Sequence, residues 1–141
     1  MHYLIVLLAA LSYPAFSGER EWYLGDWRIV EARFPGVTAM TDQEAAAWVG
    51  LDIHYSNNSV ELKNEICNAP AYESNSVPPV DFMGRNMSTL ETLEINTSMV
   101  ELIEVDCTPS WMGPGFTIIK RDDHSGYIFW DGAYFLIIKK N

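Results

Sequence analysis

A chain of 141 residues with a formal net charge of −10 is long enough for one domain with a real core, and not for two. Its 19 acidic against 9 basic side chains repel nucleic acid and anionic lipid head groups, which leaves cationic partners or plain solubility as the meaning of the charge. Because 48% of the residues are apolar and aromatic rings are abundant, the composition excludes a disordered chain.

Tyr3 to Leu11 is almost wholly apolar, and Pro14 breaks any helix soon after it. Ala15-Phe16-Ser17 then places small residues where a signal peptidase needs them for a cut before Gly18. The n-region lacks Lys and Arg, but the apolar run is too short to span a bilayer. The reading is a secretory signal peptide over 1–17 and a single β-barrel domain over 18–141, secreted or periplasmic. No lipobox-type cysteine follows the apolar run, so no lipid anchor and no membrane association after cleavage are expected.

Trp27 to Phe34 reads as a first strand, ended by the turn dipeptide Pro35-Gly36. Thr41-Asp42-Gln43-Glu44 is a capping box, and Gly50 stands where a helix C-cap is expected, which predicts a short helix over 41–49. Its sticky face, Ala45, Trp48 and Val49, must pack on a sheet, because two turns do not hold alone. Leu51 to Tyr55 and Val60 to Lys63 form a hairpin about Ser56-Asn57-Asn58-Ser59. Ile66 to Tyr72 supplies another strand, weakened by Pro70, and 74–79 reads as a loop. Over 83–94, Met87, Leu90 and Leu93 suggest an amphipathic turn, with Ser88-Thr89-Leu90-Glu91 as a second capping box.

From Ser98 to Cys107, Val100 and Leu102 share one face while Met99, Ile103 and Val105 share the other. A Gly/Pro-rich loop around Trp111 follows, then a strand over Phe116–Lys120 and a polar turn over 121–126. Tyr127–Trp130 pairs with Ala133–Ile138 across Asp131-Gly132, the strongest hairpin signal in the chain. These last strands are apolar on both faces, so the second face needs cover, expected from the helix at 41–49. About eight strands in sequential hairpins predict a mainly β protein, an antiparallel up-and-down barrel with one short helix between strands one and two. A β-sandwich is the alternative.

Cys67 and Cys107 are the only cysteines, and in an exported chain an isolated pair most simply forms one disulfide. Gly25-Asp26-Trp27 at the start of the first strand resembles the Gly-x-Trp signature of lipocalins and other calycin-type barrels. The resemblance implies a tryptophan that closes one barrel end, with Lys139 or Lys140 packed on its ring. The helix between strands one and two departs from the lipocalin pattern, in which a loop stands there and the helix comes late. The chain is also similar in outline to small exported bacterial proteins of unknown function.

For catalysis the search is negative. No nucleophile elbow, zinc-protease motif, phosphate loop or dinucleotide fingerprint is present, and no cofactor or metal is indicated. His54 falls on the polar face of a strand, His124 in a polar turn, and Glu101 with Glu104 on a strand, where solvated roles are expected. Asn57, Asn86 and Asn96 begin Asn-x-Ser sequons that only a eukaryotic source would use. Two functions remain. One is a carrier whose interior, lined by Trp27, Trp111, Phe116 and Tyr134, holds a small apolar ligand. The other is an acidic module, such as a periplasmic inhibitor or immunity protein, that binds a basic toxin or hydrolase.

Overall fold

In the computed structural model, which describes residues 21–86 and 90–141, the chain enters through a turn at Trp22-Tyr23 into β1, Gly25–Arg33. The expected signal peptide and the second capping box at Ser88 lie outside the described residues. Eight more strands follow: β2 (Asp52–Tyr55), β3 (Ser59–Leu62), β4 (Glu65–Asn68), β5 (Ala71–Val77), β6 (Val100–Asp106), β7 (Thr117–Asp122), β8 (Ser125–Trp130) and β9 (Ala133–Lys139). All nine belong to one sheet in the order β4-β3-β2-β1-β9-β8-β7-β6-β5, and every neighbouring pair is antiparallel. The protein is mainly β, and this sheet curls into a barrel-like form.

The count is nine rather than eight for a local reason. The single strand expected over 66–72 is divided at Ala69-Pro70, where Ala69 takes a positive φ of 55° and Pro70 has no N–H to give. The second half then runs on through Ser74–Val77, where a loop was expected. In an all-antiparallel order of nine, the two edge strands β4 and β5 point the same way. Two residues cannot make a parallel crossover, which takes a dozen or more. Hence β5 continues the path of β4: one chain pass bonds to β3 with its first half and to β6 with its second. The sheet's two edges are joined by this pass and by the Cys67–Cys107 disulfide, with a Cα–Cα distance of 5.8 Å, rather than by ladder hydrogen bonds. Tyr72 ties the same seam, its hydroxyl donating to the Ser56 carbonyl at 2.7 Å.

The capped helix forms as the sequence requires but is shorter. Helix α1 spans Asp42–Ala46, with Thr41 as N-cap, Glu44 N donating to Thr41 Oγ1 at 3.1 Å and Glu44 reaching back to the Thr41 N–H. Thr41→Ala removes the cap and should lower stability by about 1 kcal/mol, read from a denaturant midpoint.

Alternation sends side chains into two cores. Toward the concave face go Trp27, Ile29, Ile53, Tyr55, Val60, Leu62, Ile103, Val105, Ile118, Ile128, Phe135 and Ile137. On the convex face of β6–β9, Leu102, Ile119, Tyr127, Tyr134 and Leu136 form the second. That outer face is not covered by the 41–49 helix, whose Ala45 packs into the concave core. A second helix, α2 (Pro79–Asn86), and the turn after it provide the cover, through Phe82, Leu90, Leu93 and Ile95. The Tyr127 hydroxyl donates to the Leu93 carbonyl at 2.6 Å and fixes that turn on the sheet.

The β7–β8 pair leaves no room at Gly126. A Cβ there would stand 2.5 Å from the Ile119 carbonyl oxygen across the ladder. Gly126→Ala should therefore cost about 1–3 kcal/mol, seen as a lower melting temperature.

Candidate interaction surface

Of the residues expected to line a ligand cavity, three meet in the concave core and one does not. Trp27 is fully buried, and its Nε1 donates to the Tyr23 carbonyl at 2.9 Å. Lys139 Nζ lies 5.3 Å from the Trp27 ring centroid and donates to the Trp22 carbonyl at 2.8 Å, so of the two lysines it is Lys139 that covers the ring. Trp111 is folded inward, its Nε1 donating to the Pro114 carbonyl at 3.1 Å and its ring 4.5 Å from Phe116. Tyr134 points to the opposite face, packed with Tyr127 and Phe129 in the outer core.

The 107–116 loop fills the concave side. A Cβ on Gly115 would lie 3.1 Å from both the Ile53 and the Trp111 side chains, and one on Gly113 would strike the Trp48 ring at 2.6 Å. The Tyr55 hydroxyl donates to the Gly115 carbonyl at 2.7 Å and holds the loop in place. Burial, and then the nearby Tyr72, pushes the Tyr55 phenol well above its ordinary pKa. Burial, and then Tyr23, pushes Tyr72 up to about 12. Both phenols therefore stay protonated at neutral pH and keep donating.

A groove of about 440 Å³, open to solvent, is lined by charge: Glu101, Lys120, Arg121, Asp122 and Asp123, beside Thr97, Ser98 and Met99. Its charges are already paired. Lys120 Nζ lies 3.2 Å from Glu101 Oε2 and 3.2 Å from Asp123, and Arg121 reaches Glu94 at 3.2 Å. Glu101 and Glu104 do not converge: one pairs with Lys120, and the other accepts from Thr117 Oγ1 at 3.0 Å.

On the convex face of β1–β3 the polar residues also pair among themselves. Asp26 and His54 are cross-strand partners, with Oδ1 and Nδ1 2.6 Å apart. Asp52 accepts from Arg28 Nε at 2.9 Å and from Lys140 Nζ at 2.8 Å. Those bonds, Arg28 first and then Lys140, hold the Asp52 carboxyl below its usual pKa. The stabilisation they give is present at neutral pH and lost in acid, as the pH falls through that lowered value. His124 is exposed in its turn, where its N–H donates to Asp122 Oδ1 at 2.8 Å, and no metal-binding cluster occurs among the described residues. Asn57 and Asn96 are exposed.

Several exposed carboxylates, Glu61 and Glu65 among them, enter no described ion pair, but one group stands face to face across a ladder. On the convex face of the outermost two strands, Glu73 of β5 stands directly opposite Glu104 of β6, with Asp106 two residues further along the same face. None of these three enters an ion pair among the described residues. Arg28, Arg33, Lys120, Arg121 and Lys140 are all paired to other carboxylates, and Lys139 is committed to Trp27. Like charges face to face across a ladder are destabilising. The residues alone do not show this row, because Glu73 lies between the strand expected over 66–72 and the loop expected over 74–79, where no cross-strand partner could be assigned.

Compared with protein-family models, with curated proteins and with solved structures, the chain matches none. The buried disulfide is compatible with an extracellular or periplasmic compartment. No described helix is long and apolar enough to cross a membrane.

Proposed function

We propose that this is an exported binding module that recognises a basic protein through the acidic convex face of β5 and β6. The observation that carries the reading is the row Glu73, Glu104 and Asp106, which no described cation pairs with, while Arg28, Arg33, Lys120, Arg121 and Lys140 are paired to other carboxylates. A cationic partner relieves the cross-strand repulsion and is drawn in by the −10 net charge, which raises the on-rate and makes binding sensitive to salt. Export is supported by the apolar leader with its small-residue cleavage site and by the disulfide. A basic toxin or wall hydrolase, held as by an inhibitor or immunity protein, has the required charge.

The carrier reading is less favoured, because the concave side is occupied by Trp27, Tyr55, Phe135 and the inward-folded Trp111. The Gly25-x-Trp27 stretch that opens β1, with Lys139 on the Trp27 ring, supports a lipocalin-like barrel frame whose concave side is filled by its own side chains.

The test is affinity capture of proteins from the natural extracellular or periplasmic extract at low and at high salt. Basic partners retained at low salt and released at high salt are expected. The same partners at both salts, or none at either, would remove the electrostatic basis of the reading.

A further inference from the structure

We propose, resting on the reading above, that the partner docks by adding an extended cationic segment as a new strand on the free edge of β5. Strand β5 ends the sheet, and its ladder with β6 runs through seven consecutive pairs without a bulge, from Ala71↔Asp106 to Val77↔Val100. Residues 73 to 76, Glu73, Ser74, Asn75 and Ser76, are all exposed. In an antiparallel ribbon alternate residues turn their N–H and C=O groups outward, so among the described residues this edge carries a row of donors and acceptors with no ladder partner.

Most edges are blunted by a bulge, by brevity or by lysine. This one is regular, seven residues long and marked only by a glutamate, with Pro70 and the pair Pro78-Pro79 setting its limits. The opposite edge, β4, is four residues long and is bound through Cys67 to Cys107.

Charge selects the occupant. A strand laid beside β5 has its convex-face side chains next to Glu73 and one strand away from Glu104. Lysine or arginine at alternate positions answers those carboxylates, while main-chain bonds set the register. A second copy is a poor occupant, because two chains of net charge −10 repel each other and would bring two copies of Glu73 to one seam.

The experiment is an amide-shift titration of the ¹⁵N-labelled protein, at low salt, with a seven-residue peptide that alternates lysine and valine. Two control peptides and three protein variants accompany it. One peptide is N-methylated at alternate backbone nitrogens, one has glutamate in place of lysine, and Glu73→Lys and the pair Ser74→Pro and Asn75→Pro are made in the protein. Of the two proline variants, the one whose N–H faces the free edge keeps the β6 ladder and is used, its fold checked by its own spectrum.

Shifts concentrated on β5 are expected. Affinity should fall at least about tenfold with N-methylation and with the edge-facing proline, since several main-chain bonds are lost together. Equal binding by the N-methylated peptide, or by the proline variant, overturns strand addition. If Glu73→Lys still abolishes binding in that case, the acidic-face reading stands without it. Shifts centred elsewhere, no shift at all, or a dimer of the free protein in sedimentation would each overturn the proposal.

Discussion

Replacing Trp27 by alanine is expected to lower the stability by about 3–5 kcal/mol, the range for a large-to-small change at a fully buried aromatic site. The side chain has no exposure, its ring meets Trp22 edge-on at 6.3 Å, and Lys139 lies over it. Removing the ring leaves a cavity between β1 and the entry turn, strands the Tyr23 carbonyl and frees Lys139 from its only described ring contact. Urea unfolding followed by far-ultraviolet circular dichroism reads the loss. Trp27→Phe, which keeps the ring and loses the N–H, should lose less than Trp27→Ala. A loss below about 1 kcal/mol for Trp27→Ala would mean that the ring is not what packs this end of the sheet.

The second large effect belongs to the disulfide. Cys67 and Cys107 are separated by 40 residues, and on the chain-entropy model closing such a loop stabilises the fold by about 4 kcal/mol. Its position adds a structural reason. The bond ties the first half of the divided strand to the end of β6, where the ladder between the two sheet edges is missing. Cys67→Ser with Cys107→Ser should therefore shift the denaturant midpoint sharply downward while retaining a β spectrum. Reductant should lower the melting temperature of the native chain to that of the double variant and leave the variant unchanged. A native chain that melts alike with and without reductant would show that the bond contributes nothing to the fold.

These two effects also mark how far the residues alone could lead. The Trp27 strand, the Thr41 cap, the β2–β3 hairpin and the β8–β9 hairpin at Asp131-Gly132 are local signals, and each is where periodicity and turn chemistry put it. The disulfide followed from having only two cysteines. What local reading missed is long-range. Nothing around Ala69-Pro70 says that one strand changes partner there, since both halves satisfy the same β pattern and only the sheet order separates them. The cover for the outer face was assigned to the helix with the clear cap, whereas Phe82 and Leu93 do the packing from a segment whose periodicity is broken by Gly84 and polar residues.

The candidate site was less legible than the fold. Aromatic residues were assigned to a cavity by type, but facing is set by parity along the strand. Tyr134 therefore falls on the convex side, between the concave-facing Ala133 and Phe135. Composition alone does not say which way Trp111 of the Gly/Pro-rich loop faces, and the Tyr55 hydrogen bond to Gly115 and the Trp111 bond to Pro114 hold it folded onto the core. The acidic row is invisible without the register, because Glu73 and Glu104 are brought together only by the β5–β6 ladder.

The central claim is that recognition resides in that row and not in the interior. The direct measurement is capture of basic proteins at low salt by the native chain and by a variant carrying Glu73→Lys, Glu104→Lys and Asp106→Lys, with melting temperatures taken on both. The account predicts that the variant loses the salt-sensitive partners while keeping a cooperative melt near that of the native chain, since the reversed side chains are not in the core, one like-charge pair replaces another and only the Thr117–Glu104 hydrogen bond is lost. Retention of the same partners by a folded variant would contradict it, as would a native mass spectrum showing a small apolar molecule carried inside the protein.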